Sequence, residues 1–585
     1  MAKSVTGKAF DLSLFKRVMR YVKPYSARFV FTGLLTILLA ILAPLRPMLI
    51  QYTVDHYITV PNNAMLLNMT ILMLVILITE AAVQFFQTYM ANWVGQSVIK
   101  DLRMEVYRKI VGFKLKYFDN TAIGTLVTRA VSDIETIADI FAQGVLIIIG
   151  DILKLIVVIG FMFAMDWRLS IFSLAPIPLL IWATNVFKNY IKSAFGDVRT
   201  AVSKLNAFVQ EHITGMNIVQ VFNREEVEMQ KFKGINEDHK KAHIKTVWAN
   251  SIFFPVVEIL SAISIALLVW WGAKEAIADT VKPGDLVAFL LYIYMLYRPI
   301  RQLADRFNTL QMGMVCSERV FKIIDTEASI ENSGNVDPKK IVGNIEFKNV
   351  WFAYNEPDWV LKDISFSVKA GETIAFVGAT GAGKSSVINL LSRFYEYQKG
   401  EIFIDGTSLK DFQLAGLREE IGVVLQDVFL FSDTIHNNIT LNNPNITREQ
   451  VIEAAKIVGA HDFISKLKEG YDFDVRERGG MLSVGQRQLL AFIRAYVYNP
   501  KILVLDEATS SVDTESELLI QNAIDQLTKN RTSFVIAHRL ATIQNADKII
   551  VMEKGRIIEM GSHQELLKQN GHYKTLYELQ FTELA

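Results

Sequence analysis

Apolar positions are laid out along this chain in two ways. Up to about residue 300 they form long, nearly uninterrupted runs; beyond residue 344 they form short runs separated by glycines and charges. About 20 predominantly apolar residues suffice for a helix to cross a bilayer. Phe29–Tyr57, Leu66–Trp93, Ile137–Met165, Leu169–Phe187 and Val247–Trp271 meet that requirement. Leu286–Tyr297 is the apolar centre of a sixth span, which must borrow flanking residues to cross. Only Asp166-Trp167-Arg168 separates the third span from the fourth, so the two turn back tightly. The pattern predicts an all-α, six-helix membrane domain over residues 1–325, a linker over 326–343, and an α/β domain over 344–585.

The polar positions orient these spans. Lys16, Arg17, Arg20 and Lys23 precede the first span; Lys100, Arg103, Arg108, Lys109, Lys114 and Lys116 follow the second; Lys188, Lys192, Arg199 and Lys204 follow the fourth. The other loops carry few cations. Lys and Arg accumulate on the cytosolic side, so both termini are expected in the cytosol and the spans in the cytoplasmic membrane. The two basic connections are long and helical in pattern. Their helices are therefore expected to run well past the lipid and to turn at Phe118–Gly124 and Glu211–Met216. Each turn offers a capping residue and a glycine, as a short helix between two long ones requires. Residues 11–25 form a basic amphipathic stretch suited to a membrane surface or to an elbow entering the first span. A net charge of +1 gives no excess that would call for nucleic acid, and Cys316, the single cysteine, excludes an intramolecular disulfide.

Within the C-terminal half, Gly378-Ala379-Thr380-Gly381-Ala382-Gly383-Lys384-Ser385 matches the phosphate-binding pattern G-x-x-x-x-G-K-S/T. An apolar stretch, Thr373–Val377, precedes it as a buried strand, and a helix is expected from Ser386 onward. That is the context the motif needs: glycines let backbone N–H groups curl around phosphate oxygens, and the helix N-terminus adds its positive dipole end. Lys384 suits the outer phosphates of ATP, and the Ser385 hydroxyl suits Mg²⁺. Ile502–Asp506 is a second apolar strand ending in a carboxylate, so Asp506 is a further candidate Mg²⁺ ligand. Glu507 beside it suits a base that orients or deprotonates the attacking water.

Leu482-Ser483-Val484-Gly485-Gln486 opens a helix and resembles the signature motif of ABC transporters, usually Leu-Ser-Gly-Gly-Gln. With it the whole chain resembles an ABC exporter half-transporter, a six-span membrane domain fused to one nucleotide-binding domain of the P-loop NTPase class. The resemblance implies further roles. Tyr354 matches the aromatic that stacks on adenine, and Ser386 closes the phosphate loop. Gln426 matches the glutamine that touches Mg²⁺ and the reactive water. Ser483, Gly485 and Gln486 match the signature residues that face the γ-phosphate held by a second chain. Asp513 matches the loop crossing between two nucleotide domains, and His538 the switch histidine. The turns near Gly124 and Gly215 match coupling helices. A dimer is implied, and both a homodimer and a heterodimer fit. Val484 departs from the usual glycine, and Asp474–Gly479 departs from the usual loop before the signature.

The implied function is ATP-driven export or flipping of a lipid or amphipathic drug-like molecule. The alternatives built from the same parts are an ATP-gated channel or regulator and a peptide exporter. Ionisable residues inside a membrane usually face a cavity; Arg46, Glu80, Asp151, Lys154 and Glu258 are the candidates. Asp151 and Lys154, three apart on one helix, also suit a pair with each other. Tyr292, Tyr294, Tyr297, Phe85, Phe86 and Tyr89 are candidate aromatics for a substrate pathway.

Overall fold

The computed structural model describes residues 12–59, 62–278, 280–330, 332, 334–338, 341–506, 514–537 and 540–581. The chain divides into two compact units, one of residues 1–111 and 122–327, the other of residues 112–121 and 328–585.

The first unit is helical. Among the described residues, five helical stretches are long and apolar enough to cross a membrane: Lys23–Ile58, Asn63–Val111, Leu146–Met165, Trp167–Thr214 and Glu225–Ile277. A further helix, Pro283–Asp325, contains the apolar centre expected of the sixth span. It is the interior helix of the unit. Ala288, Phe289, Tyr292, Ile293 and Leu296 are fully buried against Val158, Met162, Phe253, Val257 and Leu260 of its neighbours. A helix that faces protein rather than lipid tolerates polar positions, so its composition is the least apolar of the set. Asn63–Val111, Ile177–Thr214 and Glu225–Ile277 have 49, 38 and 53 residues. At 1.5 Å per residue they reach about 57–80 Å, roughly twice or more the 30 Å hydrocarbon core. The tight turn between the third and fourth spans is fixed by Asp166, whose carboxylate accepts from Arg168 N at 2.7 Å and Leu169 N at 3.0 Å. The basic helix Leu12–Arg20 docks on the end of Pro283–Asp325: Arg17 forms a bidentate pair with Asp325 at 2.5 and 2.6 Å and covers the Phe321 ring at 4.2 Å.

The turns differ from the expectation in detail. Around the first, Leu115–Asp119 and Ile123–Thr128 are separate short helices, and Gly124 is the second residue of the latter rather than a cap. Gly215 does cap Ile177–Thr214, but with φ −94°, a conformation open to any residue.

The second unit is α/β. A four-stranded antiparallel sheet has the order β2-β1-β4-β5, with β1 Ile345–Phe352, β2 Leu361–Val368, β4 Lys399–Ile404 and β5 Thr407–Ser408. A six-stranded sheet has the order β10-β9-β3-β8-β7-β6, where β3 is Thr373–Val377, β6 Ile421–Val424, β7 Ile502–Asp506, β8 Thr532–Ile536, β9 Lys548–Glu553 and β10 Arg556–Gly561. Its parallel centre is buried on both faces, as parallel sheets require. Alternate side chains enter opposite cores: Ala375, Leu503, Leu505 and Val535 one, Ile374, Phe376, Val504, Phe534 and Ile536 the other.

Candidate ATP site and membrane cavity

A candidate nucleotide site is built at the C-terminal ends of the parallel strands, the usual place for ligands in an open α/β sheet. Strand register decides which residues meet there. Phe376 of β3 pairs with Ile536 of β8, and Ile536 pairs with Asp506 of β7. Leu505 in turn pairs with Val424 of β6. One row of the sheet therefore brings together the start of the phosphate loop, Asp506 and the segment leading to Gln426, although these residues are far apart in sequence.

The loop leaves β3 at Gly378 and enters the helix Lys384–Leu391. Gly378 and Gly383 have φ of 149° and 105°, and a Cβ at either would lie 2.2 Å from the Met552 carbonyl oxygen or 2.7 Å from Leu361 Cδ2. Only glycine fits both demands. Ala379, Thr380, Gly381 and Ser385 are exposed, whereas Ala382, Gly383, Lys384 and Ser386 are buried. The loop thus offers an accessible N–H-rich rim with its lysine tucked beneath. Lys384 Nζ donates to the carbonyls of Gly378 at 2.6 Å and Ala379 at 3.2 Å. Burial holds the Lys384 ammonium below its ordinary pKa, and the nearby Asp506 carboxylate opposes that shift. A buried cation beside a carboxylate and an exposed hydroxyl at a helix N-terminus is a donor set that fits a nucleotide triphosphate with its divalent cation.

Tyr354 is half-buried, held by its hydroxyl at 3.1 Å from both Ser386 Oγ and Asn389 Nδ2. Its ring is therefore fixed to the helix that begins at the phosphate loop. Phe352 and Tyr395 meet it edge-on, with centroids at 4.7 and 4.9 Å. The segment 112–121 reaches the same place: Lys116 Nζ donates to the Tyr354 carbonyl at 2.5 Å, and the Tyr395 hydroxyl donates to Asp119. Motif reading singled out neither Lys116 nor Tyr395.

The signature stretch caps its own helix, Val484–Tyr498. Ser483 Oγ accepts from Gln486 N at 3.2 Å, and Gln486 Oε1 accepts from Ser483 N at 3.0 Å, a capping box. Gly485 is buried, while Ser483 and Val484 are exposed at the helix start. Gln426 is exposed just past β6. Glu507, Asp513 and His538 lie outside the described residues.

Two family matches bear on this geometry. The ABC transporter transmembrane region matches residues 29–300, and the ABC transporter family proper matches residues 361–510. The chain belongs to the ABC transporter family. An uncharacterised ABC transporter ATP-binding protein of Bacillus subtilis is 38% identical over 98% of this chain and 96% of its own length. An ATP-dependent lipid A-core flippase of Syntrophus aciditrophicus is 36% identical over 98% and 95%. A putative multidrug export ATP-binding/permease protein of Staphylococcus aureus is 36% identical over 97% and 100%. This ABC transporter is thus a multi-pass membrane protein of the exporter architecture, with one membrane region and one ATP-hydrolysing region in a single chain. That is half of a transporter, and the architecture implies a dimer.

The membrane unit of the ABC transporter contains a cavity of about 490 Å³ lined by polar side chains. Four of the five expected ionisable residues line it: Arg46, Glu80, Asp151 and Lys154. Glu258 does not. Asp151 pairs with Arg306 at 2.8 Å, from a different helix, and not with Lys154 three residues on. Of the expected aromatics only Tyr294 lines the cavity. Tyr292 and Tyr297 are buried, with hydroxyls donating to the carbonyls of Pro44 and Leu260 at 2.9 and 3.1 Å. Phe85, Phe86 and Tyr89 are exposed and do not line the cavity. Sequence reading missed Arg298, Gln302 and Arg306. Their signal was present: with Tyr294 they fall four residues apart, a stripe along one helix face.

Proposed function

We propose that this ABC transporter exports or flips an amphipathic molecule, a lipid or a drug-like compound, across the cytoplasmic membrane. A second half-transporter chain completes each ATP site. The observation carrying the reading is the charged cavity among apolar helices, since a molecule with a polar head and apolar tail needs both environments. The Lys and Arg distribution supports cytosolic termini and a cytosolic ATP site. The lipid A-core flippase and multidrug export relatives point to the same substrate class.

In this reading the phosphate-loop N–H groups and Lys384 hold the β- and γ-phosphates, and Tyr354 stacks on the base, an interaction of about 1–3 kcal/mol. Ser385, Asp506 and Gln426 would hold Mg²⁺, which would supply charge neutralisation on the phosphates. By the resemblance to the family, Glu507 would take the proton of the attacking water, with His538 assigned to the γ-phosphate and Asp513 to the loop between two nucleotide domains. Ser483, Gly485 and Gln486 present a helix N-terminus to the nucleotide of the opposite chain. The test is movement of a fluorescent amphiphile across the wall of sealed inside-out vesicles. It is expected to require ATP and Mg²⁺; equal movement with and without ATP refutes the reading.

A further inference from the structure

The membrane cavity is not electrically balanced. Among the described residues, four cations, Arg46, Lys154, Arg298 and Arg306, line it with two carboxylates, Glu80 and Asp151. The carboxylates are already engaged. Asp151 Oδ2 lies 2.8 Å from Arg306 Nη1, and Glu80 Oε2 lies 3.9 Å from Arg46 Nη1. Both oxygens are buried and have no hydrogen bond among the described residues beyond these charge contacts. Lys154 is near enough to both to feel their charge, yet neither it nor Arg298 forms an ion pair or hydrogen bond with any described residue.

Depth makes the surplus costly. Arg298 is 15 residues into the helix that starts at Pro283, about 22 Å along its axis, and directly follows the apolar centre Leu286–Tyr297. A cation at such depth faces an aqueous cavity or a partner of opposite charge. Gln84, Gln87 and Gln302 add uncharged donors to the same walls, and Leu39, Ala40, Ala43 and Met295 give one side an apolar lining. Among the described residues cations outnumber carboxylates at this site, next to a surface for hydrocarbon.

We infer that the cavity binds an amphiphile through an anionic, phosphate-bearing headgroup, with Lys154 and Arg298 as the headgroup contacts. The paired arginines Arg46 and Arg306 position the two carboxylates so that these do not repel the ligand. The inference rests on the export reading and narrows its substrate class.

The experiment uses the full chain in phosphatidylcholine nanodiscs, without nucleotide. It is titrated with a short-chain fluorescent phosphatidic acid and with a phosphatidylcholine of the same chains. Phosphatidic acid is expected to bind at least about tenfold tighter, the value of one charge-assisted hydrogen bond. Lys154→Gln with Arg298→Gln is expected to erase that preference, and Lys154→Arg with Arg298→Lys to keep it. Should the neutral double variant fail to insert, each single neutral variant is expected to lose about tenfold. Inorganic phosphate is expected to compete only weakly; competition as strong as phosphatidic acid would make the ligand a soluble anion and overturn the assignment. Equal affinity for the two lipids, a preference for choline, or a preference that survives neutralisation would overturn it too. Binding is read without ATP, so its failure is distinguishable from a failure of ATP-driven transport.

Discussion

The Tyr395 hydroxyl donates to the Asp119 carboxylate, and the Tyr395 ring meets the edge of Tyr354 at 4.9 Å. Asp119 belongs to the segment 112–121, whose chain neighbours on both sides belong to the membrane unit. A turn between two membrane helices is thereby tied to the ring proposed to stack on adenine. Burial, and after it Asp119, raises the Tyr395 pKa, so the phenol stays a donor. Tyr395→Phe removes the hydroxyl alone. A hydrogen bond to a charged group is worth about 1.5–3 kcal/mol, so the number of amphiphile molecules moved per ATP is expected to fall about tenfold or more. Basal hydrolysis is expected to stay within about twofold of wild type. Parallel ATPase and vesicle-transport measurements check this, and an unchanged transport-to-hydrolysis ratio contradicts it. Gly124→Pro is a weaker probe of the same turn, because the first turn of a helix tolerates proline.

Lys384→Ala is expected to weaken ATP binding by about 10- to 100-fold, the loss of one charge-assisted contact. The lysine is buried beneath the phosphate loop and donates to the Gly378 and Ala379 carbonyls. Its loss acts on the loop rather than on the sheet cores. Fluorescent-nucleotide titration checks the affinity, and the thermal midpoint is expected to shift by only a few degrees.

Val484 is the first residue of its helix and 47% exposed. It fills no core space, so Val484→Gly removes a branched side chain from the helix start without leaving a cavity. ATP turnover is expected to stay level or rise by up to about fivefold if the valine hinders approach of the opposite nucleotide by about 1 kcal/mol. A large loss of turnover would mean that the valine itself is needed there.

His212 closes the second turn. Its Nδ1 lies 2.8 Å from the Phe208 carbonyl and its Nε2 2.8 Å from Glu228, so both ring nitrogens face acceptors. The Phe208 carbonyl foremost, then the Glu228 carboxylate, hold the imidazolium above its ordinary pKa of 6.5. A group raised on folding contributes stability that is fully present below pH 6.5 and lost as pH rises through the folded value. Amide exchange across residues 215–224, corrected for its intrinsic rate, is expected to quicken as pH rises above 6.5. In His212→Gln that pH dependence is expected to vanish.

What the sequence made legible was local. The phosphate loop could be read because strand, loop and helix are contiguous from Thr373 to Leu391, and the glycines carry their own backbone requirement. Spans could be read because apolar runs are contiguous too. Pairings between helices could not. The three-residue spacing of Asp151 and Lys154 suggested a pair, but Arg306 from another helix takes Asp151. Tyr292 and Tyr297 looked like pathway aromatics; the carbonyls that bury their hydroxyls, those of Pro44 and Leu260, lie far away in sequence. The stripe from Tyr294 to Arg306 is readable by its spacing, but it runs past the end of the apolar centre Leu286–Tyr297, where hydropathy no longer marks the helix.

In the proposed cycle ATP hydrolysis, with Glu507 as base, drives repeated movement of an amphiphile. It is tested most directly in inside-out vesicles that carry either wild type or Glu507→Gln and are supplied with labelled ATP. Wild type is predicted to accumulate the amphiphile over many cycles while releasing phosphate in a constant ratio. Glu507→Gln is predicted to retain bound ATP, to hydrolyse it about 10²- to 10⁴-fold more slowly, and to move at most about one load per dimer. Sustained transport by Glu507→Gln at the wild-type rate would contradict the account.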